Sequence, residues 1–372
     1  MRNKRVCVLS GIYPPDTGGP ATFAVSFAEF TVQQGLLSEN ISYTDARSKK
    51  QKYGCSQVRL INRSLHLLPR YILTVVAILS AYLRGFKIIA NGCFLEVYVA
   101  SLIIRKKYVA KIPGDIVWER AVNSGTTNLD IIGFQDQKLP FQLRIFRWFF
   151  SSALKRAIFV IAPSKLLCNL VESWGVPQKS IVYIPNSVDA DFYVPNQSDK
   201  VFHVIAVNRL VPWKHVDQII VACANRNLSL AIVGDGPERE RLQSLALRLG
   251  ANVKFFGEVS KAEVVNLLSK AEIYILNSTF EATAYSLLEA RACGLIAISN
   301  SNTGAAEIIS DHIDGYLVQN SDSSSLILAL DKYASLTQSE KIDMRDRAVQ
   351  STRTFFDREV NFRKILDLLD AK

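Results

Sequence analysis

The chain of 372 residues contains two glutamates eight positions apart at a predicted strand-to-helix junction. The segment reads NSTFEATAYSLLEARACG, with Glu281 before the predicted helix and Glu289 two turns into it. A carboxylate has two acceptor oxygens and therefore suits the recognition of vicinal hydroxyl groups. A glutamate near a helix start also simply complements the helix dipole. Taken alone, the pair is compatible with two interpretations, a binding site or two solvated charges on a helix.

Two cations lie at the end of another predicted strand, VFHVIAVNRL, and in the turn after it. The next residues are VPWKH, so Arg209 and Lys214 stand five positions apart at a strand-to-helix turn. An Arg fork and a Lys point charge can clamp a diphosphate, although two solvated loop charges would have the same pattern. The helix predicted to open near Ala284 would add free N–H groups, which favour an anion. Together these residues predict a diphosphate site with carboxylates contacting hydroxyl groups on either side.

Three other motifs are weaker. In GIYPPDTGGPATF, Gly18 and Gly19 precede a predicted helix and allow an anion or a plain turn. The stretch SLAIVGDGPERERL resembles a dinucleotide-binding loop but lacks the third glycine. The pair Asp189 and Asp191 has the spacing of a metal-binding motif but lies in a predicted linker, so we interpret it as a turn.

Short apolar runs alternate with helical patterns along most of the chain, which predicts parallel sheets covered on both faces. We therefore expect an α/β protein with two doubly wound, Rossmann-like domains facing each other across a cleft. The polar segment 186–200 separates them, so residues 1–190 and 200–354 are the predicted domains. The predicted strands are 5–11, 86–92, 107–114, 157–164 and 180–187 in the first domain and 201–210, 229–236, 253–259, 271–278 and 295–300 in the second.

Charge is distributed unevenly along the chain. The net charge is +10, but residues 1–190 hold 24 Lys and Arg against 11 Asp and Glu, a net of +13, and the remainder holds 20 against 23, a net of −3. A basic domain indicates an anionic membrane, an acidic substrate or nucleic acid. No nucleic-acid motif is present, so we expect no nucleic-acid partner.

Two apolar segments could contact a membrane. Residues 71–83, YILTVVAILSAYL, are shorter than the roughly 18–20 residues that span a bilayer, which favours a buried helix. Residues 141–157 combine aromatic and basic side chains, which fits either an interfacial helix or a packed helix with a basic wet face. The candidate acceptor or membrane residues there are Arg144, Arg147, Trp148, Lys155 and Arg156.

The six cysteines are scattered and no secretory leader is recognisable, so we expect reduced thiols and a cytoplasmic protein. The four histidines do not pair at metal-ligand spacing, and we predict neither a metal nor a cofactor.

The motifs taken in order resemble those of retaining nucleotide-sugar glycosyltransferases of family four, or glycosyl transferases group 1, over nearly the full length. The matching stretches are YPPDTGGPATFAVSFAEF, IPNSVDADFYVP, NRLVPWKHVDQII, AIVGDGPERERL, VKFFGEVS, FEATAYSLLEARACG and TGAAEIISDHIDGYLV. The resemblance implies the GT-B fold and a final helix, within 355–372, that crosses back onto the N-terminal domain.

The resemblance also implies roles for individual residues. Arg209 and Lys214 match the diphosphate clamp, Glu281 the glutamate that contacts the transferred sugar, and Glu289 the one that binds ribose. The implied donor site further includes Gly18, Gly19, Phe256, Gly257, Ala284, Tyr285 and Ser286.

Three positions depart from the family pattern. Ala282-Thr283-Ala284 stands where Gly-Phe-Gly is usual, and His215 replaces a glycine after Lys214. The histidine that many members carry in the N-terminal domain is absent from KIPGDIVWER, where Asp115 is the nearest polar candidate for a catalytic role.

The implied function is metal-independent transfer of a hexose from a nucleoside diphosphate sugar to a hydroxyl group, with retained configuration. We expect a lipid-linked glycan acceptor at the inner face of the cell membrane, in bacterial surface polysaccharide synthesis. The alternatives are another GT-B enzyme, such as an epimerase or a phosphorylase, and a sugar-nucleotide-binding protein without catalysis.

Overall fold

The structure is a computed structural model that describes residues 4–45, 57–195 and 199–370; Cys55 therefore lies outside the described residues. The chain divides into two compact units. The first runs to Ile184 and resumes at Glu359, and the second is Pro185–Arg358. The boundaries predicted from the sequence are 190 and 354. Each unit is described by itself, and the arrangement of the two domains across a cleft stays a prediction.

The first unit is built on a parallel sheet of seven strands. Their spatial order is β3-β2-β1-β4-β5-β6-β7. The strands are β1 (Arg5–Ser10), β2 (Leu37–Thr44), β3 (Gln57–Asn62), β4 (Lys87–Asn91), β5 (Val109–Lys111), β6 (Phe159–Ala162) and β7 (Ile181–Tyr183). The helices are α1 (Gly19–Gln33), α2 (Leu67–Leu83), α3 (Phe94–Ile104), α4 (Ile116–Asn123), α5 (Phe141–Arg156) and α6 (Lys165–Ser173).

The second unit is built on a parallel sheet of six strands in the order β10-β9-β8-β11-β12-β13. The strands are β8 (Phe202–Val207), β9 (Leu230–Val233), β10 (Val253–Gly257), β11 (Ala271–Leu276), β12 (Ile296–Asn300) and β13 (Gly315–Val318). The helices are α7 (Val216–Asn225), α8 (Arg239–Leu249), α9 (Lys261–Ser269), α10 (Tyr285–Ala292), α11 (Ser323–Ser335) and α12 (Gln338–Phe355).

Both faces of each sheet are covered. In β8, Val204 and Ile205 point to opposite faces, and both are fully buried, in two separate apolar clusters. This explains why the strands appear in the sequence as continuous apolar runs. The prediction of an α/β protein with two doubly wound domains is confirmed.

The last helix, α13 (Arg358–Asp370), belongs to the first unit although it follows the second in the chain. Phe362 is buried on α1, with ring centroids 5.8, 5.1 and 5.5 Å from those of Phe23, Phe27 and Phe30. Asp370 forms an ion pair with Lys4, which precedes β1.

The segment 71–83 corrects an expectation. It forms most of α2, but only one face of that helix is buried. Ile72, Leu73, Val76 and Leu83 are 51%, 49%, 54% and 79% exposed. The prediction of a buried helix was therefore wrong for the exposed face of this segment. No helix within residues 4–45, 57–195 and 199–370 is long and apolar enough to cross a membrane.

Candidate active site

Backbone hydrogen bonds join the loops that follow three strands of the second sheet. Leu210 N donates to Asp235 O at 2.9 Å, and Thr279 N donates to Trp213 O at 3.0 Å. Because the strands are parallel, these loops emerge at the same edge of the sheet. We call them the carboxyl-edge loops and define them as residues 208–215, 234–238 and 277–284.

Two glycines allow the first two of these loops to touch. A Cβ atom on Gly234 would lie 2.0 Å from Asn208 O, and one on Gly236 would lie 2.3 Å from Leu210 O. Gly234 also has a φ of 121°, which side chains rarely adopt. The Gly-Asp-Gly motif is therefore explained by the packing of the loops, without a dinucleotide.

Lys214 and Glu281 meet within the carboxyl-edge loops. Lys214 Nζ donates to Glu281 Oε1, and Ser278 Oγ donates to the same oxygen at 2.6 Å. The two charged side chains are 16% and 12% exposed, so they are only slightly open to solvent. The structure thus brings together one cation and one carboxylate of the predicted site.

The helix α10 begins directly behind this ion pair. Its N-cap residue is Ala284, which has no side chain that could accept from the first-turn N–H groups. Ser286 in the first turn accepts a hydrogen bond from the hydroxyl group of Tyr274 at 2.7 Å. The free end of the helix is suited to an anion, as the sequence predicted.

The loop before α10 is held from a second side by Gly304. Gly304 N donates to Glu281 O at 2.8 Å, and a Cβ atom at this position would lie 1.4 Å from Ala282 O. No residue other than glycine fits here, which accounts for the glycine in TGAAEII.

A buried ion pair fixes the other end of α10. Arg291 is fully buried and donates to Asp314 Oδ2 at 2.8 Å and to Asp314 O at 2.8 Å. Its Nε donates to Thr352 Oγ1 of α12 at 3.3 Å. These bonds orient the helix whose first turn faces the candidate site.

Glu289 has a partner that the sequence reasoning missed. The hydroxyl group of Tyr193 donates to Glu289 Oε1 at 2.9 Å. Burial raises the pKa of Glu289, and the hydrogen bond from Tyr193 lowers it in part. Burial raises the pKa of Tyr274, the hydrogen bond to Ser286 lowers it in part, and the negative charges of Glu281 and Glu289 raise it further. Tyr193 could have been suspected only from the FYVP stretch in the linker.

Arg209 lies on the same loop as Lys214 but is exposed. Its carbonyl accepts from Val211 N at 3.0 Å, and its side chain has no hydrogen-bond or ion-pair partner among residues 4–45, 57–195 and 199–370. Phe256 packs its ring on Phe202 with centroids 5.8 Å apart, and Lys254 Nζ lies 5.0 Å from the Phe256 ring. Gly257 follows with a φ of 69° and its carbonyl accepts from Gly234 N at 2.8 Å. The donor roles predicted for these residues stay predictions.

Asp115 in the first unit is fully buried and fully hydrogen bonded. Its Oδ1 caps α4 by accepting from Val117 N at 2.9 Å and Trp118 N at 3.2 Å. Its Oδ2 accepts from Arg147 at 2.9 Å and from Gln135 at 3.1 Å. These contacts give Asp115 a structural task, and a catalytic role for it stays a prediction.

The five α5 residues proposed for acceptor or membrane contact divide into two groups. Arg144, Trp148 and Lys155 are exposed, with Trp148 60% exposed. Arg147 points inward to Asp115, and its guanidinium lies 5.0 Å from the Trp174 ring. Arg156 is partly buried and donates to Ser101 O at 3.4 Å. Contacts within the first unit therefore account for Arg147 and Arg156, whereas the other three side chains are exposed.

Gly18 is the N-cap of α1 and Gly19 its first residue, and no side chain caps this helix either.

A further residue at the carboxyl edge of the first sheet was not predicted from the sequence. Lys111 ends β5, is 3% exposed, and has a pKa lowered to about 7 by burial. Its Nζ lies 4.7 Å from the Phe23 ring of α1. A lysine inside the apolar run KYVAKIPG was the available signal.

Comparison with known proteins finds a family match within the second unit. Residues 188–354 match the family model described as glycosyl transferases group 1. The match covers less than half of the chain. The sequence-based recognition of the family is therefore confirmed.

Relatives and solved structures extend the comparison. The chain is 27% identical over 178 residues to a phosphatidylinositol N-acetylglucosaminyltransferase subunit from Arabidopsis thaliana, covering 45% of this chain and 39% of the relative. It is 24% identical to the putative colanic acid biosynthesis glycosyltransferase WcaL of Escherichia coli, covering 60% and 59%. The chain thus spans about two fifths to three fifths of the length of these curated relatives.

A crystal structure of Anabaena HepE in complex with UDP and glucose matches with a TM-score of 0.77 at 19% identity, covering 99% of each chain. At this identity the likeness concerns the fold alone. The predicted GT-B fold is confirmed.

Proposed function

We propose that the chain is a retaining hexosyltransferase that uses a nucleoside diphosphate sugar and a hydroxyl acceptor. The observation that carries the proposal is the contact of Lys214 with Glu281 beside the uncapped start of α10. A cation and free N–H groups stabilise a leaving diphosphate, and a carboxylate accepts hydrogen bonds from sugar hydroxyl groups. The presence of UDP and glucose in the Anabaena HepE complex supports a donor of this class.

In the proposed reaction the chain supplies position and charge. Glu281 orients Lys214 before the donor binds, and Lys214 and Arg209 then stabilise the negative charge that develops on the leaving phosphate. Glu289, with Tyr193 as its partner, binds the ribose hydroxyl groups. The leaving phosphate accepts the acceptor proton on the same face of the sugar, so no carboxylate nucleophile is required.

The proposed acceptor is a lipid-linked glycan, and the proposed location is the inner face of the cell membrane. The names of two relatives support this choice, since one is named for phosphatidylinositol and the other for colanic acid biosynthesis. The basic first half of the sequence, with a net charge of +13, suits an anionic surface.

The test begins with thermal unfolding in the presence of UDP-, GDP- and ADP-sugars. A donor at about 100 times its dissociation constant adds roughly 2.7 kcal/mol of stability. The stabilising donor is then incubated with membrane lipid extract, and the products are analysed. We expect a nucleoside diphosphate and a new glycosidic bond of retained configuration.

Glu281→Gln and Lys214→Met should each reduce transfer by about 100-fold or more. The control is Arg226→Met in the same unit, whose pair with Asp331 is 41% and 46% exposed and lies on the surface beside α7 and α11. Full transfer by both site variants would overturn the site. An isomerised or phosphorolysed sugar would overturn the reaction, and donor binding without release of a nucleoside diphosphate would indicate a binding protein.

A further inference from the structure

The outward face of α2 carries an apolar stripe, which we define as Leu68, Ile72, Val76 and Leu83. These side chains are 68%, 51%, 54% and 79% exposed. At 100° per residue they fall within one narrow sector, and the stripe is about 22 Å long at 1.5 Å per residue. The outward face of a helix in a water-soluble protein is normally polar. The stripe is therefore the side of α2 that requires a partner.

Exposed cations lie at the C-terminal end of the stripe. The helix α3 packs beside α2, and its last turn contains the exposed Leu102 and Ile103. The residues after the helix, Arg105, Lys106 and Lys107, are all exposed. Lys106 Nζ donates to Tyr82 O at 3.4 Å, next to Leu83 of the stripe. The apolar stripe and this basic end thus form one continuous surface.

The same surface is poor in negative charge. The helix α2 contains no Asp or Glu, and neither does α5, which packs on the other side of α3. The one acidic residue of α3, Glu96, accepts a hydrogen bond from the hydroxyl group of Tyr43 at 2.6 Å. The same surface of a second copy of the chain would offer these cations no acidic partner from α2 or α5. An anionic lipid surface complements both the charge and the apolar stripe.

We propose that α2 lies in the interface of an anionic lipid bilayer, with the stripe at the acyl boundary and the cations of the α3 end on the lipid headgroups. The inference rests on the membrane location in the proposed function and names the surface that makes the contact, and it holds for any donor and any linkage. It also moves the main membrane contact from α5, where packing occupies Arg147 and Arg156, to α2.

The test uses flotation of the full chain with vesicles of phosphatidylglycerol and phosphatidylcholine, at low and high salt. We expect binding to mixed vesicles, weaker binding to pure phosphatidylcholine, and weaker binding in high salt. Ile72→Gln with Val76→Gln should reduce the partition at least about tenfold, because two apolar side chains can no longer be buried in lipid. Lys106→Gln with Lys107→Gln should reduce it and weaken its dependence on salt.

The matched control is Leu247→Gln with Leu328→Gln, which changes apolar side chains of the second unit that are 83% and 63% exposed. This variant should float like the wild type. Equal flotation of the α2 variant and the wild type would overturn the inference. So would an α2-dependent dimer of the wild type that does not bind vesicles. Donor stabilisation, measured on every variant, tests the fold and the proposed function separately.

Discussion

The side chain of Lys111 is buried, and burial lowers its pKa to about 7. In the unfolded chain the group titrates at about 10.4. Between these values the unfolded state is protonated and the folded state is not, so stability rises as pH increases from about 7 towards about 10.4. Below pH 7 Lys111 is protonated in both the folded and the unfolded state, so the free-energy cost of burying its charge is fully present.

The variant Lys111→Met removes this penalty at every pH. We expect it to unfold at higher urea concentration than the wild type at pH 7. The advantage should shrink by about 2–3 kcal/mol at pH 9, at about 1.4 kcal/mol per pKa unit. Urea unfolding of both proteins at the two pH values checks this. A difference that does not change with pH would show that Lys111 is not buried as an uncharged amine.

Gly304 gives a second prediction at the level of single residues. The Cβ atom of Gly304→Ala would overlap Ala282 O, so the loop that carries Glu281 must move. We expect a loss of about 3 kcal/mol or more, together with loss of donor stabilisation. In the control Gly250→Ala, the new Cβ atom meets nothing within 4 Å but the φ is 61°, which costs about 1 kcal/mol. Similar unfolding temperatures for the two variants would contradict the role of Gly304.

Among the secondary-structure elements, the start of α4 depends on the buried pair of Asp115 and Arg147. Asp115→Ala removes the N-cap and leaves a guanidinium that is only 16% exposed without its carboxylate. We expect a loss of about 3–5 kcal/mol. Thermal unfolding is compared with that of Glu359→Ala, whose pair with Arg363 is 57% and 59% exposed and should contribute less than about 1 kcal/mol. Unchanged stability of Asp115→Ala with loss of transfer would restore the catalytic role that the sequence suggested for Asp115.

The elements also show why sequence prediction was partial. All ten predicted strands are present, because each is an apolar run between helical patterns. The strand β2 was missed because Ser38, Asn40 and Ser42 lie on one of its buried faces, where alternation would assign polar residues to solvent. The strands β3 and β13 were also missed.

The same limit applies to the candidate site. The resemblance placed Lys214 and Glu281 in one site, and the structure brings them together. The contact of Tyr193 with Glu289 and that of Asp115 with Arg147 join residues that are 96 and 32 positions apart in the chain. Local patterns carry no information on such contacts.

At the scale of the whole molecule, the two units do not correspond to two successive segments of the chain. The chain leaves the first unit after Ile184 and returns to it at Glu359. The core of the first unit is therefore completed by the last helix of the chain. Phe362 is 3% exposed and contacts three aromatic rings of α1, which makes it the main apolar anchor of α13.

This division predicts a domain-specific effect of a change near the C-terminus. Phe362→Ala should destabilise the first unit by about 3–5 kcal/mol, because the cavity lies inside the aromatic cluster. Scanning calorimetry should show a downward shift of about 10 °C in one transition. The transition of the second unit, which carries the proposed donor site and should respond to a donor, should not move. The control Phe355→Ala, at a side chain 66% exposed at the end of α12, should shift neither transition. An equal shift of both transitions in Phe362→Ala would mean that the two units unfold as one, and that α13 stabilises the entire chain.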